Sequence, residues 1–190
     1  MAGVKVRCWW CADDALYCEY HDEEWGVPVH DDRKMFEMLI LEGFQAGLSW
    51  ITILRKRENF RKAFKNFDAR KVARFKHSDV ARLMKDAGII RNRLKIEGAV
   101  TNAKCFLEVQ KEFGSFDRYI WGFTGNRTLC HPKGITRQTM KATSPESDAL
   151  SKDLKKRCFK FVGPTVCYAH MQATGMVDDH VIGCFKYRMR

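Results

Sequence analysis

The stretch Lys34–Leu54, KMFEMLILEGFQAGLSWITIL, constrains this chain more than any other. From Met35 to Leu41 every residue except Glu37 is apolar. A helix that is apolar on nearly all sides is a buried one. The segment therefore predicts a central helix that starts near Arg33, capped by Asp31 or Asp32 and stopped by Gly43. Glu42 then stands at the helix end, where the negative pole disfavours an anion. A buried carboxylate is costly unless it is paired or hydrogen-bonded. Two readings follow: a structural ion pair with an internal basic residue, or a carboxylate kept for an electron-poor, donor-rich ligand. A second apolar run, Ile51–Leu54, precedes the charged residues Arg55–Arg57.

The rest of the chain predicts an all-α protein. Residues 5–33 read as loop and short turns, crowded with Cys8, Trp9, Trp10, Cys11, Tyr17, Cys18, Tyr20, His21 and Trp25. Large rings with polar edges either wall a pocket that stacks on a flat ligand or pack the segment onto the body. Glu58–Phe67 places Phe60, Ala63, Phe64 and Phe67 at i, i+3, i+4 and i+7 on one helical face. Asp68 caps a short helix Ala69–Phe75, and Ser78 caps Asp79–Ala87, ended by Gly88. Helices follow at Ile89–Phe106 and Phe113–Trp121. Residues 122–147 read as a surface crossing. Ser147 caps a helix to Arg157, KFVGPT (Lys160–Thr165) is a tight turn, and Pro164 opens a helix to Ala173 that Gly175 ends. No repeat and no strand alternation is evident.

A chain of 190 residues is one domain, with room for two lobes. No apolar run reaches the length of a transmembrane span or of a signal peptide, which points to an intracellular protein. Eight cysteines in that setting suggest free thiols and a metal site rather than a disulfide scaffold. A net charge of +11, from 34 basic and 23 acidic residues, favours a polyanionic partner, nucleic acid first and an acidic membrane surface second.

Three constellations can carry chemistry. Cys8 and His21 are spaced C-x12-H, and His180 and Cys184 are spaced H-x3-C, which would share one face of a helix. Two thiolates and two imidazoles suit a closed, structural tetrahedral zinc that ties the N-terminal loop to the C-terminal tail; Cys8 and Cys11 form a rival half-site. The turn KFVGPT, beside Lys152, Lys155, Lys156 and Arg157, presents backbone amides suited to phosphate, although Pro164 removes one donor. Asp178 and Asp179 precede His180 as a candidate base or cation-stabilising pair, or as a solvated cap.

Taken together, Cys8-x12-His21, YHDEEWGVP (Tyr20–Pro28), LEGFQAGLSW (Leu41–Trp50), DAGIIRNRLKI (Asp86–Ile96), SDALSKDLKKRCFKFVGPT (Ser147–Thr165) and DHVIGC (Asp179–Cys184) make a chain that resembles the DNA-3-methyladenine glycosylase I family of bacteria. The likeness runs from about Cys8 to Cys184. It implies a helix-hairpin-helix glycosylase fold with two helical lobes and one structural Zn2+ per chain on Cys8, His21, His180 and Cys184. It implies that Glu42 reads the amino edge of an extruded base, that Trp50 stacks on it, and that Tyr20, Trp25 and Trp10 complete the pocket. Gly47 and Leu48 fall where the family inserts a wedge into the duplex. Phe161, Val162, Gly163 and Thr165 form the hairpin that grips the backbone.

The implied activity is monofunctional excision of 3-methyladenine from alkylated double-stranded DNA, by a cytoplasmic monomer acting at the nucleoid. Two departures stand out. Val177-Asp178-Asp179-His180 puts a carboxylate, Asp178, where the wider superfamily has its catalytic Asp, so Asp178 is a candidate for stabilising the sugar's positive charge or orienting water; the alternative is a carboxylate that merely neighbours a zinc ligand. Phe44 replaces a more polar residue and is expected to make the wedge loop more apolar. The competing functions are a zinc-stapled nucleic-acid-binding protein and a zinc hydrolase with Glu42 as base.

Overall fold

The computed structural model describes residues 5–131 and 133–187. Ten helices make up nearly all of its regular structure among those residues: α1 (Ala15–Glu23), α2 (Asp32–Gln45), α3 (Trp50–Arg55), α4 (Arg57–Ala63), α5 (Ala69–Val72), α6 (His77–Lys85), α7 (Arg93–Phe113), α8 (Phe116–Trp121), α9 (Pro145–Lys156) and α10 (Pro164–Ala173). Two-residue strands β1 (Leu129–Cys130) and β2 (Val177–Asp178) pair in parallel, Leu129 opposite Val177. None of the helices is long and apolar enough to cross a membrane.

Helix α2 is the centre. Asp31 caps it by accepting the Lys34 amide at 2.8 Å, and Met35 to Phe44 are all buried. It packs against α3, α7, α8 and α10. Asp32 ties α8 to its start by accepting the amides of Phe116 and Asp117 at 2.9 and 2.8 Å. Gly43 does not stop the helix, which continues to Gln45. It lies beside the later hairpin: a Cβ there would stand 3.4 Å from the Cβ of Phe161, at the edge of ordinary van der Waals contact. Glu42 thus sits within the last turn rather than beyond it. The buried side chains form one connected cluster from Cys8 to Cys184, so the expected lobes are not separated by a break in the core.

Several boundaries differ from the sequence expectation, each for a local reason. The supposed loop 5–33 contains α1, capped by Asp14, whose carboxylate accepts the Tyr17 amide at 3.0 Å. The helix buries Tyr20 and His21 on one side, a pattern hidden by aromatics that also suit loops. The helix expected over Glu58–Phe67 stops at Ala63, and Lys65, Asn66 and Phe67 take positive φ. That reversal brings the Phe67 ring parallel to Phe64 at 5.9 Å. Helix α7 begins at Arg93 behind an Asn92 cap and runs to Phe113, where Gly114 (φ +87°) ends it. Helix α6 spans His77–Lys85 with Lys76 as cap, so Ser78 lies inside it. The cap of α9 is Ser144; Ser147 is its reciprocal capping-box partner. The crossing segment 122–147 contributes β1, whose bonds to β2 fix it against the C-terminal tail.

Candidate active site and metal centre

Helix α2 delivers Glu42 into a cavity of about 150 Å3 lined by Trp10, Tyr17, Tyr20, Trp25, Glu42, Gln45, Trp50, Met140, Ala169 and Gln172. Glu42 is 4% exposed. Among the described residues nothing hydrogen-bonds or ion-pairs with it, and burial alone pushes its carboxyl up to about 8. Neither buried cation, Arg57 or Lys95, pairs with it among the described residues. Arg57, also buried, binds Glu37 at 2.6 Å and Glu24 at 2.7 Å. Of the two readings of Glu42, the structural ion pair is therefore absent and the vacant carboxylate stands. Trp50, at the start of α3, adds a second orphan: its indole Nε1 is buried without a hydrogen-bond partner.

The cavity walls are aromatic. Trp10 meets Tyr17, Tyr20 and Trp25 with ring centroids 4.8, 6.3 and 5.0 Å away, and Tyr20 meets Trp50 at 5.4 Å. All five residues that the sequence assigned to the pocket, Glu42, Trp50, Tyr20, Trp25 and Trp10, line this one space. The sequence named Tyr17 only among the rings of the N-terminal segment, without assigning it to the pocket, and left out Gln45, Met140, Ala169 and Gln172. Tyr17 lies one helical turn before Tyr20, which only the existence of α1 makes meaningful. Ala169 and Gln172 are likewise one turn apart on α10. Met140 comes from a segment without periodicity and gave no signal.

At the rim, a second cavity of about 190 Å3 shares Glu42, Gln45 and Ala169 and continues to Gly47, Leu48 and Thr165. Leu48 is 41% exposed, and Gly47 takes φ +82° with open space around it. Phe44 is not part of this loop surface. It is buried against Phe60 and Phe64, with centroids 4.8 and 5.8 Å away, so the expectation of a more apolar wedge loop fails: Phe44 is core.

The α9–α10 hairpin lies beside that rim. Phe161 (φ +56°) and Thr165 are exposed, Val162 is buried, and Gly163 is the N-cap of α10. The Val162 carbonyl accepts the Ser151 hydroxyl at 2.6 Å, which closes the turn. Lys152, Lys155, Lys156 and Lys160 are exposed and form no salt bridge among the described residues, whereas Arg157 is held by Glu112 and Asp153. Among the described residues these lysines leave a basic strip around the turn.

Behind the aromatic wall lies a thiol–imidazole cluster. One ligand atom each from Cys8, His21 and Cys184 falls within 4.8 Å of the others, a group that could hold a metal ion. The His21 Nε2 lies 3.4 Å from the Cys184 sulfur, while its Nδ1 is held by Asp22 at 2.8 Å. His180 stands next to the group, its ring centroid 5.1 Å from that of His21. Its Nδ1 is held by Asp178 at 2.7 Å, and its Nε2 is buried without a partner.

An orphaned buried nitrogen beside two thiols and an imidazole is the donor set a closed tetrahedral cation needs. Carboxylates on both outer ring nitrogens fix tautomer and orientation as ligand histidines require. Burial pushes the Cys8 thiol up and the His21 imidazole down, which leaves the first to be ionised by a cation and keeps the second neutral. The rival Cys11 instead donates its thiol to the Cys8 carbonyl.

His180 and Cys184 reach the cluster through turns, not through one face of a helix. Gly26 (φ +74°) makes the approach possible, since a Cβ there would stand 2.7 Å from His180 Cε1. Trp25 packs edge-on to His180 at 4.7 Å, so cluster and pocket share a wall. Asp178 lines a different cleft, with Cys130, His131, Gly134, Ile135, His180 and Tyr187, and not the cavity of Glu42. Asp179 is buried and accepts from Tyr168 and Gln172, both at 2.7 Å.

Comparison with known proteins agrees with this geometry. A sequence model of the methyladenine glycosylase family matches residues 10–187. DNA-3-methyladenine glycosylase 1 of Escherichia coli is 51% identical over 181 residues, 95% of this chain and 96% of that protein. A crystal structure of 3-methyladenine DNA glycosylase I superposes with a TM-score of 0.93 at 48% identity, over 96% of this chain and 100% of the other. A point variant of such an enzyme, solved in complex with 3-methyladenine, gives 0.92 at 33% identity, over 97% and 99%. A predominantly helical chain with an unpaired buried acid in an aromatic pocket, matched over nearly its full length, belongs to the methyladenine glycosylase family.

Proposed function

We propose that this protein is a DNA-3-methyladenine glycosylase that excises the damaged base from double-stranded DNA and leaves an abasic site. The observation that carries the reading is Glu42: a buried carboxyl with no protein partner, facing an aromatic cavity next to an exposed apolar loop. A base inside a duplex is out of reach, so it must be extruded at an expense of a few kcal/mol. Leu48 on its Gly47 hinge fills the gap in the stack. The hairpin Phe161–Thr165 holds the backbone through amides and neighbouring lysines, in the helix-hairpin-helix manner.

Methylation at N3 makes the base cationic and weakens the glycosidic bond. A cation favours an aromatic face and a carboxylate, which Trp50 and Glu42 provide, with Tyr20, Trp25, Trp10 and Tyr17 closing the walls. Glu42 accepts a hydrogen bond from the base's amino edge; the glycosidic C–N bond breaks with its electron pair going to the base, which departs neutral, while water bonds to the sugar carbon and gives its proton to solvent.

One Zn2+ per chain, held by Cys8, His21, His180 and Cys184, fits the donor set and would supply only a structural tie between the termini. Asp178 is engaged with His180 and lies outside the pocket, so its part is to orient a ligand, and Glu42 is the acid at the base. The enzyme acts as a monomer in the bacterial cytoplasm, on the nucleoid.

Release of free base from methylated duplex DNA tests the whole reading. Selective release of 3-methyladenine by the wild type, lost or much reduced in Glu42→Ala, is expected. No release by the folded, zinc-loaded wild type would remove the glycosylase and leave the DNA-binding protein.

A further inference from the structure

The motif DAGIIRNRLKI and the helix it opens have no part in the pocket, yet one face of α7 touches both loops that meet DNA in the reading above. Lys95 is 8% exposed and forms no salt bridge among the described residues. Its ammonium donates to the carbonyls of Phe44 at 2.9 Å and Ala46 at 2.6 Å. These are the C-terminal carbonyls of α2 and the first residue of the Gly47–Leu48 loop, where a helix welcomes a cation.

One turn on, Gly98 receives the Phe161 ring. A Cβ at Gly98 would stand 3.0 Å from two ring carbons of Phe161 and 3.3 Å from Lys160 Cβ. One turn further, Asn102 is buried and binds the hairpin backbone twice: Nδ2 donates to the Lys160 carbonyl at 3.0 Å, and Oδ1 accepts the Lys160 amide at 2.7 Å. Positions 95, 98 and 102 share one helical face.

We propose that this face of α7, Lys95–Gly98–Asn102, is a positioning element that sets the separation of the wedge loop and the hairpin so that both engage one duplex. None of the three residues lines the cavity of Glu42. Each acts through another group: Lys95 through the carbonyls that start the wedge loop, Gly98 by admitting Phe161, Asn102 through the hairpin backbone. The loop tip has little else to hold it. Gly47 has open space around it, and the Leu48 amide bonds only back to Gln45. A displacement of about 1 Å in such a loop is enough to impair catalysis on a duplex. The pocket is built on α1, α2, α3 and α10 with Trp10, Trp25 and Met140, and Lys95 meets α2 at the Phe44 carbonyl, which does not line it.

The inference rests on the glycosylase reading, and the test separates the two. In Lys95→Met, single-turnover excision from methylated duplex falls by about tenfold or more, since two charge-assisted hydrogen bonds are lost. Affinity for free 3-methyladenine stays within about twofold, because neither Phe44 nor Ala46, the two residues Lys95 holds, lines the pocket. In a Leu48→Ala background the same substitution adds less than about twofold, because Lys95 acts through that loop. Full additivity with Leu48→Ala, equal loss of free-base affinity, or unimpaired excision would each overturn the inference.

If Lys95→Met does not fold, Asn102→Ala is read by the same split between duplex excision and free-base binding. A wild type that releases no base sinks the glycosylase reading. Duplex affinity then decides the inference, and Lys95→Met binding as tightly as wild type overturns it.

Discussion

The vacant carboxyl of Glu42 makes the fold less stable in a way that depends on pH, and Glu42→Gln exposes the effect. Burial raises this carboxyl from 4.5 to about 8. The folded state therefore holds a proton that the unfolded state releases, and stability falls as pH rises between those values. Below about 4.5 both states are protonated and the penalty is nil; above about 8 both are ionised and it is complete. At about 1.36 kcal/mol per pH unit the full penalty is about 5 kcal/mol, and at pH 7 about 3 kcal/mol.

Glutamine does not titrate, so its own fit adds only a constant. Urea denaturation of both proteins at pH 5, 7 and 8.5, at fixed zinc, gives the difference in unfolding free energy. The advantage of Glu42→Gln should widen by on the order of 2–3 kcal/mol from pH 5 to pH 7. A gap that stays constant across this range would mean that Glu42 ionises as it does in water, and the vacant-acid argument would be wrong. A gap that widens while excision disappears is the trade of stability for activity expected at a functional site.

Two further substitutions probe the frame. Asp178→Asn removes the carboxylate that orients His180 and should weaken zinc binding by about 10- to 100-fold, while the zinc-loaded variant excises at the wild-type rate; a slow zinc-loaded variant would restore Asp178 to the chemistry. Gly175→Ala forces a Cβ to within 2.3 Å of the Val27 carbonyl carbon at φ +68°, and should lower stability by about 3 kcal/mol or more in thermal unfolding. Gly125→Ala, at φ +64° in open space, should lower it by only about 1 kcal/mol.

Much of the site was readable in the chain because its signals are local. A single acid after an apolar run announces burial, and Glu42 is buried; four special aromatics around it announce a wall, and they form one. What sequence could not give is which distant groups satisfy which. Nothing in the spacing says that Arg57 belongs to Glu24 and Glu37 and leaves Glu42 alone. Nothing says that Lys95 reaches back 49 residues to Ala46, or that Asn102 reaches forward 58 to Lys160. The Gly43 expectation failed for the same reason. Glycine was read as a helix stop from its own conformational freedom, but α2 continues through it to Gln45 and runs beside Phe161, a neighbour invisible in the local pattern. The helix α1 was missed because aromatic residues serve loops and helix faces equally well.

In the proposed reaction, the raised carboxyl of Glu42 would let the pocket select a charged base over a neutral one of nearly the same shape. At pH 7 ionising a carboxyl that titrates at about 8 costs on the order of 1 kcal/mol. A cationic base in contact at about 4 Å returns about 4 kcal/mol at the effective dielectric of a protein site. On that reading the proton would leave when the methylated base arrives, since the attraction exceeds what the ionisation consumes. Unmodified adenine carries no charge and supplies no such term, so it meets a protonated acid and an apolar wall. Its extrusion expense of a few kcal/mol is then not offset. A carboxyl already ionised by an internal arginine could not discriminate this way, because its charge would be neutralised before the base entered.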